Sequence, residues 1–339
     1  MKIIAEAGVN HNGSKDLAFK MVKAAAESGA DYIKFQTFRA EELVTVDCEA
    51  AGYQKKNMGA VRQLEMLRSL QLSNEDFREL KNYCDKLGIG FLSTPFDDAS
   101  IDFIASLKPD FMKVPSGEIT NVPYLRKIAA THIPVIVSTG MSDLADIREA
   151  LKVFQEAGYD KKDIILLHCT TQYPTPMEDV NLKAMDTLRR EVGCEAGYSD
   201  HTEGIEVSVA ASAMGASVIE KHFTLDRSMD GPDHKASLEP IELRKLVESV
   251  RNVEIALGDG KKVVKDSEKA NMTAARRSIV AARIIKRGEV INEEAIRCKR
   301  PAIGLSPVYW DNVIGSVAER DFEVDEPIII SFNKTDKSK

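Results

Sequence analysis

Residues 134–168 read PVIVSTGMSDLADIREALKVFQEAGYDKKDIILLH. A β-branched run at 134–139 ends in Ser138 and Thr139. Leu144, Ile147, Leu151 and Phe154 then recur at helical spacing, and a second apolar run at 164–168 ends in His168. Strand, amphipathic helix and strand in that order make a βαβ unit with parallel strands. The pattern extends in both directions, with apolar runs at 3–9, 32–36, 89–94, 111–115, 194–199 and 217–223, eight in all. Leu17, Met21, Val22 and Ala25 mark one intervening helix face. Leu243, Leu246, Val247, Val250, Val253 and Leu257 mark another, which stops at Gly258. Eight alternations over ~250 residues predict an α/β fold of the (β/α)8 TIM-barrel type, with a doubly wound open sheet as the alternative. The insertion at 40–70 is too long for a simple βα loop and is expected to form a lid or an extra helix at the barrel mouth.

Beyond Gly258 the text changes. Residues 260–271, GKKVVKDSEKAN, are charged and turn-prone. The expected organisation is a barrel domain at 1–259, a linker at 260–273 and a small, mostly β domain at 274–334, with the final NKTDKSK frayed.

The whole chain has 339 residues and a net charge of −7. That balance argues against a nucleic-acid coat or a general pull toward anionic membranes. No apolar run approaches the ~20 residues of a membrane helix, and the start MKIIAEAGVN lacks a signal-peptide core. Cys48, Cys84, Cys169, Cys194 and Cys298 are odd in number, widely spaced and free of any CxxC. Reduced thiols and a cytoplasmic setting are expected.

In a barrel, functional side chains sit where strands end. The ends here carry Glu6, Asn10 and His11; Lys34, Gln36 and Thr37; Ser93 and Thr94; Lys113, Ser116 and Glu118; Ser138 and Thr139; His168; Ser199, Asp200 and His201; and Glu220, Lys221 and His222. His201 and His222 fall on neighbouring strands ~4.8 Å apart, so two imidazoles can share a metal. With carboxylates and hydroxyls rather than thiolates nearby, Mn²⁺ or a similar octahedral ion suits them better than structural zinc. The plain alternative is a pair of hydrogen-bonded core histidines. His168 reads as a packing residue, and His132 lies near the opposite end of the barrel. His234, in a mouth loop after Gly231-Pro232-Asp233, is a candidate ligand contact. Lys34 and Lys113 interrupt apolar strands. With hydroxyls from Thr94, Ser116, Ser138 and Ser199 they outline an anion pocket; an internal ion pair with Glu6 or Glu118 is the competing reading, and a Schiff-base lysine a third. Glu6 and Glu118 are the acid–base candidates, because partial burial raises a carboxyl pKa unless a cation opposes it.

The segments AEAGVNHNG, KFQT, FLSTPFD, KVPSGEITNVPYL, VSTGM, LLHCTTQYPTP, GYSDHTEG, EKHFT and GPDHKASL resemble the bacterial sialic acid synthase family, in the family's order and across the whole barrel. The tail around CKRPAIGLSP is similar to the family's antifreeze-like SAF domain. The resemblance implies condensation of phosphoenolpyruvate with an N-acetylated amino sugar to a nine-carbon 2-keto acid and phosphate. It implies a divalent metal, Mn²⁺ or else Mg²⁺ or Co²⁺, on His201 and His222. It places phosphoenolpyruvate against Lys34, Thr94, Lys113, Ser116, Ser138 and Ser199, with Thr171 where some members have asparagine. It places the sugar against Gln36, Glu118, Tyr173 and Asp233, and gives Glu6 a metal-side or water-activating role. It implies a domain-swapped homodimer in which Arg300 of the partner copy touches the acetamido group. N-acetylmannosamine, giving N-acetylneuraminate, is the first sugar expected. A 2,4-diacetamido-2,4,6-trideoxymannose, giving N,N'-diacetyllegionaminate, is the alternative, and a pseudaminate precursor follows. A Schiff-base aldolase and a non-catalytic glycan-binding protein are the more distant readings.

Overall fold

The structure is a computed structural model and describes residues 1–49 and 62–331. The part of the expected lid at 50–61 and the expected frayed tail lie outside the described residues. The chain divides into two compact units, Met1–Gly258 and Asp259–Lys339.

In the first unit the described residues form eight parallel strands: β1 (Lys2–Gly8), β2 (Tyr32–Thr37), β3 (Gly90–Pro95), β4 (Met112–Val114), β5 (Val135–Ser138), β6 (Ile164–His168), β7 (Glu195–Asp200) and β8 (Val218–His222). Their hydrogen-bonded order is β3-β2-β1-β8-β7-β6-β5-β4. β4 packs beside β3, so the sheet curls into the expected barrel, with that last contact made by packing.

Side chains on a strand alternate between faces, and here the alternation sorts the two sides. Ile3, Ala5, Ile33, Phe35, Phe91, Val135, Val137, Ile164, Leu166 and Ile219 face outward into the large core beneath the helices. Ile4, Leu92, Ile136, Ile165, Leu167 and Val218 form a separate inner cluster, the apolar floor of the barrel. One step of two residues toward each strand's exit, the inner positions become Glu6, Thr94, Ser138, Ser199 and Glu220. Register fixes these layers: Glu6 stands opposite Lys34 on β2 and opposite His222 on β8.

The helices follow local signals. The helix Leu144–Glu156 starts at Asp143, whose carboxylate accepts from the backbone of Ala145 and Asp146 at 2.7 and 3.0 Å, and it buries Ile147, Leu151 and Phe154. The helix Asn74–Leu87 opens on a Ser73–Asp76 capping box and ends at Gly88 with φ of 72°. The 40–70 insertion supplies helices at Ala40–Leu43 and Gln63–Leu70. These share a small apolar cluster with Val9 and Phe38 beside the exits of β1 and β2.

The second unit is mostly irregular and β. β9 (Ser278–Ala281) pairs antiparallel with β10 (Ile296–Lys299) over a core that includes Ile279, Ile285, Ile291, Val313, Phe322 and Ile328. The stretch expected to be a charged, turn-prone linker contains the helix Asp266–Ala275, none of whose residues is buried. Its Ala, Lys, Glu and Met are good helix formers without an apolar stripe, so propensity made the helix while periodicity was silent. Asp266 and Glu268 sit in its first turn, where acidic residues suit the helix dipole.

Asp200 and Lys221 sit on adjacent strands and are fully buried, 3.0 Å apart. Asp200 also accepts from the backbone and hydroxyl of Thr202 and from Ser208, while Lys221 donates to the Thr202 carbonyl at 2.6 Å. This network ties the exits of β7 and β8 to the next helix. Asp200→Ala leaves a buried ammonium uncompensated and is expected to cost about 3–5 kcal/mol in urea unfolding. Asp200→Ala with Lys221→Met is expected to recover much of that loss; a double variant as unstable as the single one would refute the charge account.

Candidate active site

Above the apolar floor lies a cavity of about 340 Å³. Its deepest polar layer is ionic. Lys34 Nζ lies 2.9 Å from Glu6 Oε2 and 3.5 Å from Glu220 Oε2, and Lys113 Nζ lies 3.8 Å from Glu220 Oε1. All four side chains are buried. Hydroxyls complete the layer: Lys34 donates to Thr94 at 3.2 Å, Lys113 donates to Ser138 at 2.7 Å, and Ser199 donates to Glu220 at 2.9 Å.

The environments push the two carboxyls apart. Burial raises Glu6 to about 7, although Lys34 lies against it. Burial also acts against the Glu220 carboxylate, but Lys113 and Lys34 outweigh it and hold Glu220 down at about 2. Lys34 is also buried, yet Glu220 and Glu6 keep its ammonium above its usual value. Burial lowers Lys113. Near neutral pH two cations therefore face one firm carboxylate and one that titrates, which leaves positive charge for an anion. The lysines are ion-paired, as one sequence reading has it, and they also line the cavity.

A ring of mouth residues lies above. Gln36, Ser116, Thr171, Tyr173, His201, His222 and Asp233 all line the same cavity, with Cys169 and Met141. Gly140 is needed for this closeness: a Cβ there would come 2.8 Å from Thr171 Cγ2 and 2.9 Å from Ser116 Oγ. Its backbone N–H donates to Ser116 Oγ at 3.0 Å. The His201 and His222 ring centroids are 5.5 Å apart, and the Tyr173 ring lies 4.2 Å from that of His201. Burial raises the Asp233 carboxyl to about 6.

The imidazoles fit a divalent ion. His201 Nδ1 lies 2.6 Å from the Thr170 carbonyl, which can only accept, so the proton is on Nδ1 and Nε2 keeps its lone pair. His222 Nδ1 is buried with no hydrogen-bond partner among the described residues. Burial lowers both rings, His222 well below the usual range, which keeps them in the neutral form that ligates. Among the described residues no group of three or more His, Cys, Asp or Glu is placed to hold a metal ion, so any ion here would rest on the two imidazoles and on ligands from outside that set. Two imidazoles with open positions for oxygen donors suit a Mn²⁺-like ion rather than structural zinc.

Two site expectations are not brought into the cavity. Glu118 is not among the lining residues. The fourth strand ends at Val114, and the 3-10 turn Ser116–Glu118 carries Glu118 aside, where it accepts from Asn121 Nδ2 at 2.6 Å. His234, read as a ligand contact, is buried between Thr224 and Asn12 instead. Arg300 belongs to the second unit, where it is exposed after β10. His168 packs as expected, 2.8 Å from the Val180 carbonyl.

Glu220 had no assigned role in the sequence, yet it joins both lysines. The signal that finds it is the period of two: it shares a strand face with His222, as Ser199 does with His201. Cys169 was also missed; its thiol lies 3.3 Å from Ser116 Oγ, at the exit of β6.

Comparison with known proteins bears on these features together. Residues 21–262 match the NeuB family and residues 276–330 the SAF domain. The chain is 48% identical over 327 residues to the N,N'-diacetyllegionaminic acid synthase of Campylobacter jejuni, covering 96% of this chain and 98% of that one. It is 50% identical over 317 residues to the protein of the same name from Legionella pneumophila, covering 93% and 89%. The solved N-acetylneuraminic acid synthetase of Leptospira borgpetersenii superposes with a TM-score of 0.70 at 35% identity, covering 80% of this chain and 89% of that one. The ionic layer, the paired imidazoles and these matches over most of the chain lead to one conclusion: the protein belongs to the NeuB family of synthases, with a SAF domain at its C-terminal end.

Proposed function

We propose that the chain condenses phosphoenolpyruvate with 2,4-diacetamido-2,4,6-trideoxymannose to give N,N'-diacetyllegionaminate and phosphate. The observation that carries the chemistry is the buried layer of Lys34, Lys113, Glu6 and Glu220 beneath two neutral imidazoles. The choice of sugar rests on the names of the Campylobacter and Legionella relatives, which favour the legionaminate branch over the N-acetylmannosamine reaction.

In this reading Lys34 and Lys113 hold the phosphate and carboxylate, with Thr94, Ser116, Ser138, Thr171 and Ser199 donating hydrogen bonds. Gln36, Tyr173 and Asp233 orient the open-chain sugar so that its aldehyde faces carbon 3 of phosphoenolpyruvate. His201 and His222 would hold the divalent ion, which supplies Lewis acidity toward the aldehyde oxygen. Carbon 3 attacks the aldehyde carbon, whose oxygen takes up a proton to become the new hydroxyl. Water adds at carbon 2, one of its two protons replacing that one and the other leaving with phosphate. Glu6, poised near neutrality, takes the proton from that water. The tetrahedral carbon then expels phosphate by C–O cleavage. Glu220 stays ionised and fixes both lysines. Arg300 of a second copy of the chain would meet the acetamido group.

The first test is phosphate release from phosphoenolpyruvate with Mn²⁺, using the diacetamido-trideoxy sugar and N-acetylmannosamine side by side. Release is expected to be faster with the former, to stop with EDTA, and to be lost in His201→Ala and His222→Ala. Metal-independent turnover would sink the ion assignment, and faster N-acetylmannosamine turnover would restore the neuraminate branch.

Asp233 gives a test with two readouts. A carboxyl raised from 3.8 to about 6 in the folded state binds its proton more tightly there than in the unfolded chain. Its ionised form therefore opposes folding above about pH 6, and the penalty vanishes below the unfolded value of 3.8. Asp233→Asn is expected to gain about 3 kcal/mol in urea unfolding at pH 8 and almost nothing at pH 3.5, while raising the sugar KM. A variant destabilised at pH 8 would contradict the burial account.

Arg300→Ala is expected to lose sugar use with phosphoenolpyruvate binding intact. Mixed with a His201→Ala chain, it is expected to regain part of its activity; failure to complement would place Arg300 outside the partner's site.

A further inference from the structure

We infer that Asn10, Asn12 and His234 are positioning residues that strap the mouth loop 225–237 to the exit of β1, so that Asp233 is presented to the sugar. The inference rests on the proposed reaction and adds a device that the residues touching the cavity do not reveal.

Both ends of the loop are fastened by backbone. Thr224 N donates to the Leu238 carbonyl at 2.9 Å, and Leu238 N donates to the His222 carbonyl at 2.8 Å. Its middle is held by side chains of the β1 exit. Asn12 Nδ2 donates to the Asp230 carbonyl at 2.8 Å. That fixes the amide, so Asn12 Oδ1 can only accept, and His234 Nε2, 3.3 Å away, is the donor. His234 Nδ1 is then the acceptor for the Thr224 hydroxyl at 2.7 Å. Asn10 Nδ2 donates to the Phe223 carbonyl and to Ser237 Oγ, both at 2.9 Å, and Ser237 Oγ donates to the Asp233 carbonyl at 2.7 Å. Asp233 is thus gripped through its own carbonyl and through the ring of the next residue.

The fit is tight. A Cβ at Gly231 would come 2.5 Å from His234 Cδ2 and 2.9 Å from Asn12 Oδ1. His234 and Asn10 are buried, yet neither lines the cavity; Asp233 does. The strap and the catalytic cavity therefore meet at one carboxylate. The imidazole that resembles a ligand contact in the sequence acts on the ligand through its neighbour.

The test is steady-state kinetics of the full chain with both substrates varied, on wild type, His234→Ala, Asn12→Ala, His234→Gln and Asp233→Ala. His234→Ala and Asn12→Ala are expected to raise the sugar KM about tenfold, the equivalent of one lost hydrogen bond, with the phosphoenolpyruvate KM within about twofold. His234→Gln, whose amide nitrogen reaches the Nε2 position, is expected to recover most of the sugar KM. The double variant His234→Ala with Asp233→Ala is expected to be no worse for sugar than Asp233→Ala alone, because both act through one carboxylate. Calorimetric titration with phosphoenolpyruvate reports whether each variant retains a folded barrel. Equal changes in both KM values, or additive losses in the double variant, would overturn the strap while leaving the reaction standing. Absence of wild-type turnover with any acetamido sugar would instead bring down the reaction and the strap together.

Discussion

The polar layer directly above the barrel floor is organised around Glu220 and its two lysines. Side chains facing the inside of the barrel have little access to bulk water, so a charge placed there needs its counter-charge among inner-facing neighbours. Lys34, Lys113, Glu6 and Glu220 satisfy one another at 2.9–3.8 Å. Thr94 and Ser138 accept from the lysines and Ser199 donates to Glu220 Oε1, while Glu6 Oε2 and Glu220 Oε2 keep no hydrogen-bond partner among the described residues. The group is held rigidly by strands on every side, with the apolar floor of Ile4, Leu92 and Ile136 beneath it. In the proposed reaction this fixed group is what would hold a small anion.

Much of the barrel was legible because its signals are local. Apolar runs and helical spacing need only neighbouring residues, and the eight strands fall within a residue or two of the predicted ones. The site was legible as a set of strand-end residues, and most of them do meet in one cavity. What failed depended on the third dimension. Glu118 is close in sequence to Lys113 and Ser116, but the turn after β4 carries it to Asn121 instead. Glu220 reads as one more charged strand residue until the curl of the sheet brings it, across the barrel interior, to Lys34 on β2 and Lys113 on β4. His234 looked like a mouth ligand because its loop is at the mouth; only the fixed amide of Asn12 shows which way its ring is committed.

The small unit teaches the complementary lesson. The helix Asp266–Ala275 buries nothing, so the hydrophobic pattern that found the barrel helices had no purchase on it. Its formation rests on helix propensity and a favourable first turn. The core around Ile279, Ile285 and Phe322 is built from short segments with little regular pairing, and there the alternation of apolar residues pointed only to a β-rich module.

The consecutive residues Ser199, Asp200 and His201 belong alternately to the chamber and to the scaffold. Ser199 and His201 line the cavity, while Asp200 is locked to Lys221, Thr202 and Ser208 on the other face. Neighbouring codons in this tripeptide therefore answer to different selective pressures. A change at 199 or 201 alters the lining of the chamber, whereas a change at 200 strikes the buried network that ties β7 and β8 together.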